Sequence, residues 1–161
     1  VVRSRGLGDV YKRQTEKRIM DFLASWTEGV IKIGQEFLSD RDYVNCAKDF
    51  LSQHYAFDET EVLFKPTFTK EVAFRNTKEE ALSYFVRGQI DEDKGFALKP
   101  WEKIDLEECH IIQEKDFIAV MGSLLFKPID VNEITKVAFT FILIEAEESL
   151  KIKIHHSSPI L

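Results

Sequence analysis

Leu150-Lys151-Ile152-Lys153-Ile154-His155-His156-Ser157-Ser158 opens with the alternation of apolar and polar residues that marks a strand with one buried face, and ends in polar side chains. Side chains repeat with period two along a strand, so Leu150, Ile152 and Ile154 share a face. Counting on by two adds His156 and Ser158 to that face. The spacing thus predicts an imidazole and a hydroxyl directed at the core, where an unsatisfied polar group costs about 1–3 kcal/mol. Such a pair is either tied into a structural network or lines a cavity that a small molecule enters.

Three further segments upstream read as long strands: Lys103–Gln113, Phe117–Lys127 and Glu133–Ala146. Short polar connections such as Glu114-Lys115-Asp116 and Glu147-Glu148-Ser149 join them, so an antiparallel meander is the simplest topology. Phe117, Ala119, Met121 and Leu125 alternate with Ile118, Val120, Leu124 and Phe126, which makes the sheet apolar on both faces and calls for two covers. Helices supply one. Ile19, Phe22, Leu23, Trp26, Val30, Ile33 and Phe37 have the one-sided spacing of an amphipathic helix. A second helix, capped by Asp40 or Asp42, carries Tyr43, Cys46, Ala47, Phe50, Leu51 and His54. Thr77-Lys78-Glu79-Glu80 has the form of a capping box and opens a short helix that stops at Gly88. A weak strand is expected at Val72–Arg75. The other cover is expected to be a second copy of the chain, giving a homodimer through the sheet. Helices followed by a curved meander define an α+β domain.

The first fourteen residues are read apart from the rest. Ser4 to Gln14 resembles one frame of a translated transposase sequencing adapter, and residues 1–14 are set aside as an expected artefact, leaving residues 15–161 as a single domain of common size. On this reading the native start, with any export signal, is missing, and a cytoplasmic or periplasmic location stays open. Setting the segment aside removes Arg3, Arg5, Lys12, Arg13 and Asp9, moving the formal charge from −6 to −9. A nucleic-acid partner is not expected of so acidic a chain. No apolar run is long enough to span a bilayer, so no membrane partner is expected. Cys46 and Cys109 are too few for a disulfide framework and read as core thiols.

The chemistry-bearing residues are sparse. His155 and His156 are adjacent on a strand, point to opposite faces and cannot easily share one ion, and neither His54 nor His110 has metal-ligand spacing. There is no Gly-x-Ser-x-Gly elbow and no Gly-rich phosphate loop. Asp91-Glu92-Asp93 reads as solvated charge. What remains is a set of hydroxyl and imidazole groups at element ends, Thr67, Tyr84, His156 and Ser158, each of which core hydrogen bonding would also explain.

Leu63-Phe-Lys-Pro-Thr67, Ala81-Leu-Ser-Tyr-Phe-Val86, Lys94-Gly-Phe-Ala-Leu-Lys-Pro-Trp101 and His155-His-Ser-Ser158 together resemble the ι-class carbonic anhydrases, from Trp26 to the C-terminus. The resemblance implies a conical nuclear-transport-factor-2-like fold, similar to the calmodulin-dependent kinase II association domain. It implies reversible hydration of carbon dioxide to bicarbonate, with substrate held by Thr67, Tyr84 and Ser158 and with His156 beside them as the group passing protons to solvent. Tyr84 is the expected base, which requires a donor or cation that favours the phenolate. No cofactor is implied, with zinc or manganese recruited by His156 as the alternative. Similar sequences are often labelled phosphoribosyl-AMP cyclohydrolase, an enzyme whose cysteine-bound zinc this chain cannot assemble. Arg87 departs from the small residue expected before Gly88 and is expected to place a cation near the mouth. A non-catalytic dimerisation or small-ligand-binding module is the competing reading, because one fold hosts many functions.

Overall fold

A computed structural model describes the backbone of residues 2–161 and the side chains of residues 8–161. Three helices, α1 (Val2–Leu38), α2 (Tyr43–His54) and α3 (Lys78–Val86), pack on a five-stranded sheet. The strands are β1 (Leu63–Lys65), β2 (Trp101–Gln113), β3 (Ile118–Pro128), β4 (Thr135–Ala146) and β5 (Ser149–Pro159), in the order β1-β5-β4-β3-β2. β2 to β5 form the expected antiparallel meander. The fifth strand is not the one expected: Val72–Arg75 forms none, and Leu63–Lys65 instead adds to β5 in parallel.

The helices form where their sequence signals stand. Asp42, rather than Asp40, caps α2, its carboxylate accepting from the Asn45 N–H at 3.1 Å. Thr77 and Glu80 close the capping box on α3 in both directions. That helix ends at Val86, one turn signal earlier than Gly88, because Arg87 itself takes a positive φ of 67°. The Arg87 guanidinium then lies over the Phe37 ring, 5.8 Å from its centre, so the cation expected at the mouth is engaged elsewhere.

Ile19, Phe22, Leu23, Trp26, Val30 and Ile33 of α1 are all buried against the sheet and α2. Residues 8–14 of the adapter-like segment carry only exposed side chains, and Val1 lies outside the described residues. α1 comes close to the Phe96–Leu98 turn because residue 34 is glycine: a Cβ there would stand 2.7 Å from the Ala97 carbonyl oxygen. On the sheet, Val137, Phe139, Phe141 and Leu143 alternate inward along β4 and set the floor of a cup.

β5 is irregular at one point that decides the site. Ile154 pairs with Ile142 and Ile152 pairs with Leu143, so one step on β4 matches two on β5 and Lys153 has no partner. This is a β-bulge. It inverts the parity of every residue beyond it. Ile152 is fully buried, Ile154 turns outward, and His155 and Ser157, not His156 and Ser158, enter the cup.

Candidate active site

The cup narrows to a cavity of about 10 Å³ measured at the centre of a water-sized sphere, on the order of one water molecule. Its walls are mainly aromatic and aliphatic, with Trp26, Phe64, Phe126, Phe139 and Phe141 among them. Four polar side chains interrupt that lining: Thr67, Tyr84, His155 and Ser157. Of the residues expected from sequence, the structure brings Thr67 and Tyr84 together and leaves out His156 and Ser158. Thr140 pairs with His156 and Ala138 with Ser158 on the outward face of the sheet. Lys153, by breaking the count, is the physical reason for the exchange.

Each polar group has a structural origin. Phe64 of β1 lies beside His155 of β5, the rings stacked 4.6 Å apart, and Phe141 meets the same imidazole edge-on at 4.6 Å. This apolar sandwich holds the imidazole neutral: burial, with a smaller contribution from the neighbouring His156, pushes its pKa down to about 3. Its Nδ1 lies 2.8 Å from the Tyr55 hydroxyl and its Nε2 lies 2.6 Å from Ser157 Oγ. Both ring nitrogens are therefore engaged, and neither is free to bind a metal. Among the described residues no group of three or more His, Cys, Asp or Glu side chains is placed to hold a metal ion.

Tyr84, on the inner side of α3, accepts a hydrogen bond from the Phe68 N–H at 3.2 Å. Burial raises its pKa well above the usual tyrosine range. The Phe68 amide, the Thr67 hydroxyl and the Arg75 guanidinium 5.9 Å from the ring centre all favour the phenolate, but burial outweighs them. Tyr84 is a neutral hydroxyl at any ordinary pH.

Arg75 was not expected to matter and is fully buried. Its guanidinium forks onto both carboxylate oxygens of Asp93 at 2.6 and 2.8 Å and reaches Glu92 at 3.4 Å. Glu92 also accepts from the backbone N–H groups of Lys70, Glu71 and Val72. The run Asp91-Glu92-Asp93 is thus not solvated charge: two of its three carboxylates organise the loop over the cup. Only a basic residue buried eighteen positions upstream of Asp93 explains them, and its burial leaves no local pattern in the sequence.

Outside the cavity is a basin of about 540 Å³. Tyr84 and Phe96 line both spaces, so these two rings stand between them. Lys70, Lys94 and Lys99 face the basin, and its two carboxylates, Glu92 and Asp93, are those already committed to Arg75 and the backbone.

An α+β cone with helices across its mouth and an apolar, hydroxyl-lined pocket is a nuclear-transport-factor-2-like domain. It superposes on a putative calcium/calmodulin-dependent protein kinase II association domain from Xanthomonas campestris with a TM-score of 0.64 at 16% identity, covering 88% of this chain and 85% of that one. That likeness concerns fold alone. Residues 17–159 match the family model described as metal-independent carbonic anhydrase, and the chain belongs to that family. A metal-independent carbonic anhydrase of Nostoc sp. (strain PCC 7120 / SAG 25.82 / UTEX 2576) is 28% identical over 150 residues, which are 89% of this chain and 73% of the relative. The crystal structure of a cyanobacterial iota-carbonic anhydrase complexed with bicarbonate superposes with a TM-score of 0.85 at 27% identity, covering 91% of this chain and 92% of that one.

Proposed function

We propose that the protein catalyses the reversible hydration of carbon dioxide to bicarbonate in the cup, with Thr67, Tyr84 and Ser157 as the groups that touch the reactants and His155 holding Ser157. The observation that carries this reading is the lining itself. An apolar cavity on the order of one water molecule, parted from the larger basin by Tyr84 and Phe96, presents three hydroxyls and one neutral imidazole, in a chain of the metal-independent carbonic anhydrase family.

The chemistry follows from what the site lacks. Neither His155 nor Tyr84 ionises near neutral pH, so no formed base stands ready to make hydroxide. A concerted relay needs none. The water oxygen forms its bond to carbon as one of its protons passes to the Tyr84 oxygen. The Tyr84 proton passes in the same event to one oxygen of carbon dioxide, whose C=O π bond becomes a C–O single bond. Tyr84 never carries a net charge, and the apolar walls never face an ion. The Ser157 hydroxyl donates to the other carbon dioxide oxygen as negative charge grows there, a contribution of the oxyanion-hole kind. Thr67 orients the water beside Tyr84. The cavity has room for one reactant, the second enters as the Tyr84 and Phe96 rings give way toward the basin, and holding both at contact distance supplies the remaining entropic advantage. The neutral product ionises to bicarbonate in the basin, beside Lys70, Lys94 and Lys99. Proton transfer to solvent through a histidine, the role expected of His156, has no place here: His156 faces away and His155 stays neutral.

The outward face of the sheet supports assembly of two copies. Ile112 is 62% exposed and Met121 58% exposed; Ile112 shares a cross-strand row with Ala119, Ile142 and Ile154, and Met121 lies in the row that pairs with Thr140 and His156. Sedimentation of the full chain is expected to give a dimer; a monomer at micromolar concentration would end this part of the reading.

The direct test is stopped-flow hydration of carbon dioxide before and after exhaustive chelation. Turnover unchanged by chelation is expected, with Tyr84→Phe abolishing it. Turnover that disappears on chelation and returns with added zinc or manganese would replace the relay by metal chemistry. Absence of turnover in both states would favour a non-catalytic binding module.

A further inference from the structure

We infer that Tyr55 and Trp26 are positioning residues that fix the tautomer of His155 and thereby turn the Ser157 proton toward the cavity. The inference rests on the proposed hydration site but begins outside it, at the far end of a buried hydrogen-bond chain.

The chain can be ordered donor by donor. Trp26 Nε1 is a donor only, and it gives its hydrogen to the Tyr55 oxygen at 3.2 Å. Tyr55 is fully buried, and among the described residues its hydroxyl meets only Trp26 and His155 Nδ1. Its own hydrogen cannot go to the indole, so it goes to Nδ1, 2.8 Å away. Nδ1 is therefore the acceptor nitrogen, and a neutral imidazole then carries its hydrogen on Nε2. Nε2–H donates to Ser157 Oγ at 2.6 Å. With His155 as its donor, Ser157 has no reason to spend its hydrogen on the ring, and the hydroxyl hydrogen is left for the cavity.

Without this chain the opposite arrangement is equally available. Were Nδ1 protonated, Nε2 would accept from Ser157, and the serine hydrogen would point at the imidazole. The oxyanion would then meet a lone pair in place of a donor. The location of Tyr55 suits the task. It follows the last residue of α2 and makes an isolated bridge to Ile152, the residue before the bulge, so its hydroxyl is held in register with His155. Its stacking against the imidazole at 5.9 Å adds to that fix.

Two measurements on the full chain test the inference. Long-range proton–nitrogen correlation spectra of ¹⁵N-histidine-labelled protein report the tautomer of His155 directly. The parent is expected to show hydrogen on Nε2, and an Nδ1–H signal would overturn the inference even if carbon dioxide hydration is found. Conversely, an Nε2–H signal in a protein without turnover would leave the tautomer assignment intact and end the hydration reading. The second measurement is a double-mutant cycle on kcat. Tyr55→Phe is expected to lower kcat on the order of tenfold, as loss of one aligned hydrogen bond does, and to cost almost nothing in a Ser157→Ala background. An equal loss in both backgrounds would show that Tyr55 acts by general packing and would overturn the inference. Should Tyr55→Phe fail to fold, the spectrum of the parent still decides.

Discussion

Two buried polar clusters flank Tyr84 and are built on opposite electrostatic plans. On one side Arg75, Asp93 and Glu92 form an ion network in which every charge meets its complement and the backbone takes the rest. On the other side Trp26, Tyr55, His155 and Ser157 form a neutral chain that runs in one direction and opens on the cavity. A saturated ionic cluster has nothing left to offer a ligand and serves to hold the loop between α3 and β2 in place. A neutral chain with one uncommitted hydrogen at its end does the reverse. It gives up little stability in return for a donor poised where charge develops.

The contrast can be broken most severely at Arg75. Arg75→Ala strands the Asp93 carboxylate in the interior, and the loss expected is about 3–5 kcal/mol of folding stability, read from denaturant unfolding. Loss below about 1 kcal/mol would mean that the ionic cluster is not structural. Next in size is the response of the neutral chain to acid. As pH falls below about 6.5 the unfolded chain binds a proton at His155 that the native state refuses until about pH 3. Stability is thus lost progressively through that window, by roughly 4 kcal/mol at its end. Denaturant midpoints for the parent and His155→Gln between pH 7 and pH 4 isolate this part of the slope, and parallel lines for the two would contradict a neutral His155. Ser157→Ala is expected to reduce kcat about 100-fold, the usual effect of removing one oxyanion donor, and to cost about 1–3 kcal/mol in unfolding because the buried His155 Nε2–H loses its acceptor. Ser158→Ala on the outward face is expected to leave kcat within about twofold, and the reverse ranking would restore the parity read from the sequence. The smallest effect sharpens the boundary of the domain: removing residues 1–14 is expected to leave both unfolding midpoint and turnover unchanged, because residues 8–14 are exposed and the core begins at Ile19.

Much of this architecture is written locally. The spacing from Ile19 to Phe37, the Asp42 cap and the capping box at Thr77 each act within one turn of helix, so a local reading finds them. The meander is legible for the same reason, since alternation and short polar turns carry it. Thr67 and Tyr84 follow from the family resemblance and from being polar groups left over at the ends of apolar segments. The misreading of β5 has a different origin. Alternation from Leu150 to His155 is unbroken in the sequence and invites the count to run on to His156 and Ser158, whereas the pairing with β4 skips Lys153, and pairing is a property of two strands. Arg75 with Asp93, and Tyr55 with His155, are likewise contacts across 18 and 100 positions that no periodicity encodes.

The unpaired Lys153 has a consequence for how this strand tolerates change in length. Register on either side is set by β4, with Ile152 opposite Leu143 and Ile154 opposite Ile142, and the intervening residue is outside the ladder's count. Omitting it would join two halves that are already in phase, so His155 and Ser157 would keep their place in the cup. A homologue one residue shorter at this point therefore carries the same active face, even though an ungapped comparison of the two strands would set His155 against the wrong neighbour.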